Sequence, residues 1–352
     1  MPESFTIKSR LKDYQLYFVD DVLNKISDQR NTGAFLIIDS DLPGKNKIEK
    51  LFAKERIIGL HASEKTKTYE GCAKLINQLL KAQVRRNNMI YAVGGGVIED
   101  VVAFVAQVLF RGLEWTFIPT TLLSQADSCI GSKSSINFGG YKNLLGSFYP
   151  PSQIFIDFKF LKTLAKVEIK SGIGEILHFY LVAGKLDLAE KMMPQYQLFL
   201  KSPILLRPYI WESLRVKKNV IERDELDRGE RNLFNYGHTF GHAIESVTNY
   251  KICHGQAVTM GMDIANFLSY KRGYINEEEF KRLHDLFSIN LPRFRLTLKN
   301  WPQYATALSK DKKNIGKTLG CILTKGPGKM FKAQLAFDEA LKSDILSYFD
   351  QQ

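Results

Sequence analysis

The 352-residue chain predicts two domains: residues 1–159 as an α/β domain on a parallel sheet, and residues 160–352 as a mainly α-helical domain. Three observations carry this reading. Apolar runs of strand length at 35–39 (FLIID) and 89–93 (MIYAV) flank a helical stretch at 69–82 (YEGCAKLINQLLKA), the alternation expected of parallel strands with crossover helices. Further strands at 115–119 (WTFIP) and 153–158 (QIFIDF) extend the series. Beyond residue 160 the pattern turns helical, over 167–183, 209–226, 238–248, 256–270 and 277–287, with a strand pair around LGCILT and MFKAQL.

Within the first domain, Gly94-Gly95-Gly96-Val97 follows the second strand and leads into EDVVAFVAQVLF, where Val101, Phe104, Val105 and Val108 recur with helical spacing. A strand, a glycine turn and a helix N-terminus form an anion cradle, because glycine lets the backbone approach and the helix end offers free N–H groups. A tight turn explains the glycines equally well. After WTFIP come Thr120-Thr121, then DSCIGSKSSIN, then GGYKNLLGSFYPP, which reads as a loop ending in Pro150-Pro151.

In the second domain, residues 231–254 (RNLFNYGHTFGHAIESVTNYKICH) hold three of the six histidines, His238, His242 and His254. His238 and His242, at i and i+4, share a helix face. Neutral imidazole is a common zinc ligand, and catalytic zinc takes three protein groups plus water. An isolated HxxxH is explained as well by hydrogen-bonded histidines, since no HExxH is present.

Composition bounds the partners. With 45% hydrophobic and 24% charged residues the chain can bury sizeable cores. No stretch approaches the roughly 18 apolar residues of a membrane span, and MPESFTIKSRLKDY lacks the apolar core of a secretory signal. Cys72, Cys129, Cys253 and Cys321 are scattered without CxxC spacing, which argues against a disulfide framework and for a reducing cytoplasm. The net charge of +12 comes from lysines spread along helices, so it suits a basic surface with cations for an anionic ligand better than a nucleic-acid patch.

GGGVIED, RGLEWTFIPTTLLSQADSCIGSKSSIN, YKNLLGSFYPP, SGIGEIL, RNLFNYGHTFGHAIE and HGQA, in this order, resemble the dehydroquinate synthase family of sugar phosphate cyclases. The resemblance spans about residues 35–335. It implies a Rossmann-like nucleotide-binding domain, a helical metal- and substrate-binding domain, bound NAD, one divalent metal (Zn2+, or Co2+) and a homodimer. The metal ligands it implies are Glu175, His238 and His254. For NAD it implies Asp39, Glu64, Lys67, Gly94, Gly95, Gly96, Val97, Asp100, Thr120, Thr121, Lys142 and Thr163. For the phosphorylated sugar it implies Asp127, Lys133, Asn143, Lys217, Arg231, Asn235 and His242, with Arg111 reaching the partner's site and a further cation from one of Lys312 and Lys313. Family chemistry is transient oxidation of a ring hydroxyl by NAD, phosphate elimination, re-reduction, ring opening and aldol closure of a carbocycle. The retained Lys217, Arg231 and Asn235 favour a heptulosonate, since a guanidinium fork matches a carboxylate.

Four residues depart from the family pattern: Glu99 and Ser132 for glycines, Gln256 for glutamate, and His178 for an active-site lysine. Glu99 is expected to place an anion beside the pyrophosphate loop and loosen NAD, and His178 to alter substrate use as a further site residue. The alternatives are a sister cyclase using amino-heptulosonate, sedoheptulose or glucose phosphate, a metal alcohol dehydrogenase of the glycerol dehydrogenase type, and a non-catalytic paralogue.

Overall fold

The computed structural model describes residues 4–28, 33–139, 141–310, 314, 316 and 318–350. The strands are β1 (Ser4–Ile7), β2 (Tyr14–Phe18), β3 (Phe35–Asp39), β4 (Ile57–Leu60), β5 (Met89–Gly94), β6 (Glu114–Pro119), β7 (Lys133–Phe138), β8 (Tyr141–Phe148), β9 (Gln153–Ile156), β10 (Thr318–Thr324) and β11 (Met330–Ala336). The helices are α1 (Val22–Asp28), α2 (Asn46–Glu49), α3 (Tyr69–Lys81), α4 (Gly96–Val108), α5 (Lys166–Val182), α6 (Leu186–Met192), α7 (Tyr196–Lys201), α8 (Arg207–Ile221), α9 (His238–Val247), α10 (His254–Lys271), α11 (Glu277–Ser288), α12 (Trp301–Ser309) and α13 (Glu339–Asp350). Among the described residues no helix is long and apolar enough to cross a membrane.

The chain divides into two compact units, and the sequence boundary at 159/160 needs correcting. The first unit is Met1–Leu164 together with Ile204–Leu226; the second is Ala165–Pro203 with Asp227–Gln352. Helix α8, assigned from sequence to the helical domain, thus belongs to the α/β unit. The reason is a packing contact: α8 lies against the turn 124–128, where Ser213 Oγ donates to the Ala126 carbonyl at 2.9 Å.

In the first unit a seven-stranded sheet runs β1-β2-β9-β6-β5-β3-β4, parallel except for the β1–β2 pair. Its central strands are buried on both faces, hence the unbroken apolar runs of β3 and β5. The strand order reverses between β3 and β5, and ligands of open α/β sheets bind outside the strand ends at such a switch point. Asp39 ends β3 and Gly94 ends β5. Residues 141–148, read from sequence as a loop, form strand β8, paired antiparallel with β7.

The second unit is built around α10. Its residues Gly255 and Ala257 through Ser269 are buried on all sides, as expected of a central helix. Among its buried polar residues, Asp263 accepts through Oδ2 from His284 Nδ1 at 2.7 Å and from the Tyr348 hydroxyl at 2.6 Å. Helices α9, α5, α11 and α13 and strand β10 pack around it.

Candidate active site

Glycines set the metal-ligand geometry in the second unit. A Cβ on Gly174 of α5 would lie 2.1 Å from the Gly255 carbonyl oxygen, and one on Gly255 of α10 would lie 1.8 Å from that of Ser171. The helices therefore touch backbone to backbone, and Gly255 N donates to Ser171 Oγ at 3.0 Å. The residues next to these glycines are Glu175 and His254. On the other side of α10, a Cβ on Gly261 would meet the Gly237 carbonyl at 1.9 Å, so α9 approaches as closely and brings His238.

Glu175 Oε1 is buried and makes no hydrogen bond, yet it stands 3.2 Å from His254 Nε2 and 3.8 Å from His238 Nε2. Donors of a tetrahedral zinc site, bonded at about 2.0–2.1 Å, lie roughly 3.3 Å apart. An orphaned carboxylate oxygen facing two imidazole nitrogens thus fits one divalent metal. The Tyr236 carbonyl lies 3.2 Å from His238 Nδ1 and favours the tautomer that leaves Nε2 as the ligand. Burial, then the neighbouring His178, His254 and His242, holds His238 well below the usual histidine range, so it is neutral. For His254 burial acts the same way, but the neighbouring carboxylates of Glu175 and Glu245 outweigh it and carry this residue well above that range.

His242 is exposed one turn along α9, with its ring stacked 5.7 Å from that of His254. It can also be grouped with Glu245 and His254 as potential ligands. Arg231 is buried in the 3-10 turn Glu230–Asn235 that precedes α9, and Asn235 donates from Nδ2 to the Asn232 carbonyl. His178 is buried among the rings of Phe179, Phe234, Tyr236 and His238, with Nδ1 3.6 Å from Glu175 Oε2.

In the first unit four of the residues implied for NAD, Glu64, Lys67, Asp100 and Lys142, are linked to one another, Asn137 serving as a bridge. Glu64 Oε2 accepts from Asn137 at 2.7 Å and lies 3.5 Å from Lys142 Nζ. Burial opposes its ionisation, but Asn137, Lys67 and Lys142 hold its carboxyl below the ordinary value. Lys67 pairs with Asp100 at 2.7 Å, and Asp100 accepts from Ser135 N at 2.7 Å. Asn143 donates its backbone N–H to Asn137 Oδ1. At the glycine turn a Cβ on Gly95 would lie 2.8 Å from Thr121 Cγ2, and α4 starts at Gly96 with Gly95 as its N-cap. A thirteen-residue helix opening on uncapped N–H groups fits a pyrophosphate. Thr120 N bonds the Gly94 carbonyl, Thr121 and Ser124 cap one another, and Thr163 is exposed with its hydroxyl on the Phe160 carbonyl.

Lys217 Nζ donates to Asp127 Oδ1 at 2.7 Å and to the Asp127 carbonyl at 2.8 Å. Lys133 is exposed, its Nζ 6.0 Å from the Phe148 ring. Arg111 is exposed with φ +62°, after Phe110 at φ +54°. Lys313, with Asp311 and Lys312, lies outside the described residues.

The comparisons fit this geometry. Residues 57–171 match the model of the 3-dehydroquinate synthase N-terminal region, and 172–314 that of its C-terminal region. The chain is 35% identical to the 3-dehydroquinate synthase of Dictyoglomus turgidum over 339 residues, 93% of both chains. It is 36% identical to that of Helicobacter pylori strain G27 over 300 residues, 84% of this chain and 86% of the relative. The chain belongs to the 3-dehydroquinate synthase family. Its fold is also that of 2-deoxy-scyllo-inosose synthase, solved with carbaglucose-6-phosphate, NAD+ and Co2+ (TM-score 0.86, 24% identity, 98% of this chain and all of that one). The same holds for 2-epi-5-epi-valiolone synthase from Streptomyces hygroscopicus, solved with NAD+ and Zn2+ (TM-score 0.82, 22% identity, 98% and 99% covered). Glycerol dehydrogenase from Schizosaccharomyces pombe shares the architecture more distantly, at TM-score 0.61 and 17% identity over 95% of this chain and 89% of that one.

Three departures from the pattern of the 3-dehydroquinate synthase family have structural accounts. Ser132 sits at φ +63°, where glycine is the unstrained residue, and its hydroxyl offsets the strain by donating to buried Glu225 at 2.8 Å. Gln256 bridges Cys253 and the Asn290 carbonyl. Glu99 corrects the expectation of an anion beside the glycine turn. It is 6% exposed and accepts from Ser128. Burial pushes its carboxyl up to about 8, so at neutral pH it is mostly uncharged and no charge argument for loose NAD binding remains.

That burial predicts a pH-dependent cost. The unfolded chain releases this proton near the ordinary value of 4.5 and the folded chain near 8, so stability falls as pH rises between them. Glu99→Gln is expected to match the parent at pH 4.5 and exceed it by a few kcal/mol, on the order of 3, at pH 7. Urea titrations at both pH values check this; an equal difference at both would mean that the group is ionised in the fold.

Glu245 is a residue that the sequence reading missed. Its Oε2 lies 3.2 Å from His254 Nδ1, on the far side of the ring from Glu175. A carboxylate on the second nitrogen orients a ligating imidazole and raises its basicity. The signal was available: Glu245 follows His242 by three positions and His238 by seven, on one face of α9. Glu245→Ala is expected to weaken zinc affinity about 10- to 100-fold in a chelator competition while leaving the stoichiometry at one.

Proposed function

We propose that this protein is a 3-dehydroquinate synthase, a carbon–oxygen lyase that eliminates phosphate from a phosphorylated heptulosonate and closes a carbocycle. Convergence of Glu175, His238 and His254, with buried Arg231 in the turn that leads into the helix of His238, carries the reading. Glu175, His238 and His254 would hold the metal, which supplies Lewis acidity for substrate oxygens. The Gly94–Val97 turn, Asp39, Glu64, Lys67, Asp100, Thr120, Thr121, Lys142 and Thr163 would hold NAD, whose transient hydride acceptance acidifies the C–H next to the leaving phosphate.

The remaining work falls to side chains. Arg231 and Asn235 receive the substrate carboxylate, and His242, exposed beside His254, meets the phosphate. Lys217, held by Asp127, and Lys133 supply cations toward the developing oxyanions. One of Lys312 and Lys313 adds a further cation. The reading takes the enzyme as a cytoplasmic homodimer in which Arg111 serves the partner's site, with no nucleic-acid or membrane partner. A phosphate-release assay on heptulosonate, amino-heptulosonate, sedoheptulose and glucose phosphates tests it, and turnover of heptulosonate phosphate without net NADH is the expected result. His178, aromatic-boxed where the family carries a lysine, favours the amino-heptulosonate as the second reading. Release of phosphate from a neutral sugar phosphate alone would overturn the carboxylate assignment, and NADH accumulation with glycerol would favour a dehydrogenase.

A further inference from the structure

Residues 124–128 form a π-helical turn, Cys129 N reaching back to the Ser124 carbonyl at 3.1 Å. Short π segments interrupt the regular ladder and occur often at functional sites. This one carries Asp127. From one side α8 holds it, through Ser213 on the Ala126 carbonyl and Lys217 on both the carbonyl and the carboxylate of Asp127. From the other side α4 holds it, through the bond of Ser128 to Glu99. Glu99 is the fourth residue of α4 and lies inward. The family pattern has glycine here, which can make no such bond, so the tie belongs to this chain.

We infer that Glu99 is a positioning residue: by holding Ser128 it fixes the π-helical turn so that Asp127 meets Lys217, and so sets that pair for the phosphorylated substrate. The inference rests on the function proposed above for Asp127 and Lys217. Glu99 need not touch substrate; it acts through Ser128. The groups that act on it are Asp100 on its own helix, Asp127 and Cys129 on the turn, and Lys217 on α8. Ionising Glu99 would place a third carboxylate charge beside Asp100 and Asp127, whose own charges already engage Lys67 and Lys217.

The test uses the full-length enzyme and the variants Glu99→Gln, Glu99→Ala, Ser128→Ala and the Glu99→Ala/Ser128→Ala double. Two readouts are taken: amide hydrogen exchange over residues 124–129 without substrate, and kcat and KM for heptulosonate phosphate. Glu99→Gln should stay within about twofold of the parent. Each alanine variant should speed exchange and raise KM about five- to tenfold, roughly the worth of one net hydrogen bond, with kcat little changed. The double variant should be no worse than either single one. KM of the parent should rise above pH 8, and that of Glu99→Gln should not. If Glu99→Ala does not fold, Ser128→Ala carries the same comparison. Unchanged exchange over 124–129, or additive effects in the double variant, overturns the inference whatever the turnover. If exchange responds as described but even the parent does not use heptulosonate phosphate, the tie stands and the substrate reading falls.

Discussion

Replacing His254 by alanine is expected to strip the bound metal and lower turnover by roughly 10³-fold, the loss of several kcal/mol of Lewis-acid stabilisation. His254 is the hinge of the ligand set because both of its nitrogens are engaged, one toward Glu175 and one toward Glu245. Its removal leaves Glu175 Oε1 buried beside His238 alone. Glu175→Ala and His238→Ala should lose metal equally, each withdrawing one of three donors. His242→Ala should retain it and raise KM through lost phosphate contact. Metal analysis after dialysis decides: equal loss in His242→Ala would instead make His242 a ligand, as its grouping with Glu245 and His254 allows. The proton on His254 adds a second readout. Without metal its two carboxylate partners keep it protonated at neutral pH, so uptake must displace that proton. Apparent affinity should therefore rise with pH, by up to about tenfold per pH unit while His254 stays protonated in the metal-free form.

What the sequence made legible follows from where its physics is local. The helical stretches read at 167–183, 238–248 and 277–287 lie within one residue of α5, α9 and α11 at each end, because apolar spacing reports a buried helix face directly. The glycines of SGIGE and HGQA could be quoted as motifs, but their meaning, a backbone crossing of α5 and α10, appears only once two distant segments meet. Strand β8 was hidden because five of its eight residues are exposed and none is buried, so no apolar alternation survives. Helix α8 was readable as a helix and misplaced as to unit, since chain order does not say which neighbour an amphipathic face will choose. Glu99 shows the limit most plainly. The sequence offers an acidic side chain beside a phosphate-type turn, and only burial reveals that it keeps its proton.

Arg231→Ala is expected to weaken binding of heptulosonate phosphate by roughly 2–5 kcal/mol, that is from about thirtyfold to several thousandfold in KM. Arg231 is 5% exposed, fixed in the short 3-10 turn that hands the chain to α9, and that turn packs on α5, the helix of Glu175. A guanidinium so placed has lost most of its water, and an ion in that condition interacts strongly with a bidentate partner. The same desolvation explains the size of the loss: without Arg231 the substrate carboxylate must enter a partly dry site unpaired. A neutral sugar phosphate, lacking that carboxylate, should lose far less. Arg231→Lys should recover only part of the effect, because an ammonium supplies the charge but not the planar fork. The decisive measurement is the ratio of the KM changes for the acid and the neutral substrate across both variants. A ratio near one would mean that Arg231 holds the fold of the turn rather than the substrate, and would return the carboxylate to Lys217 or Asn235.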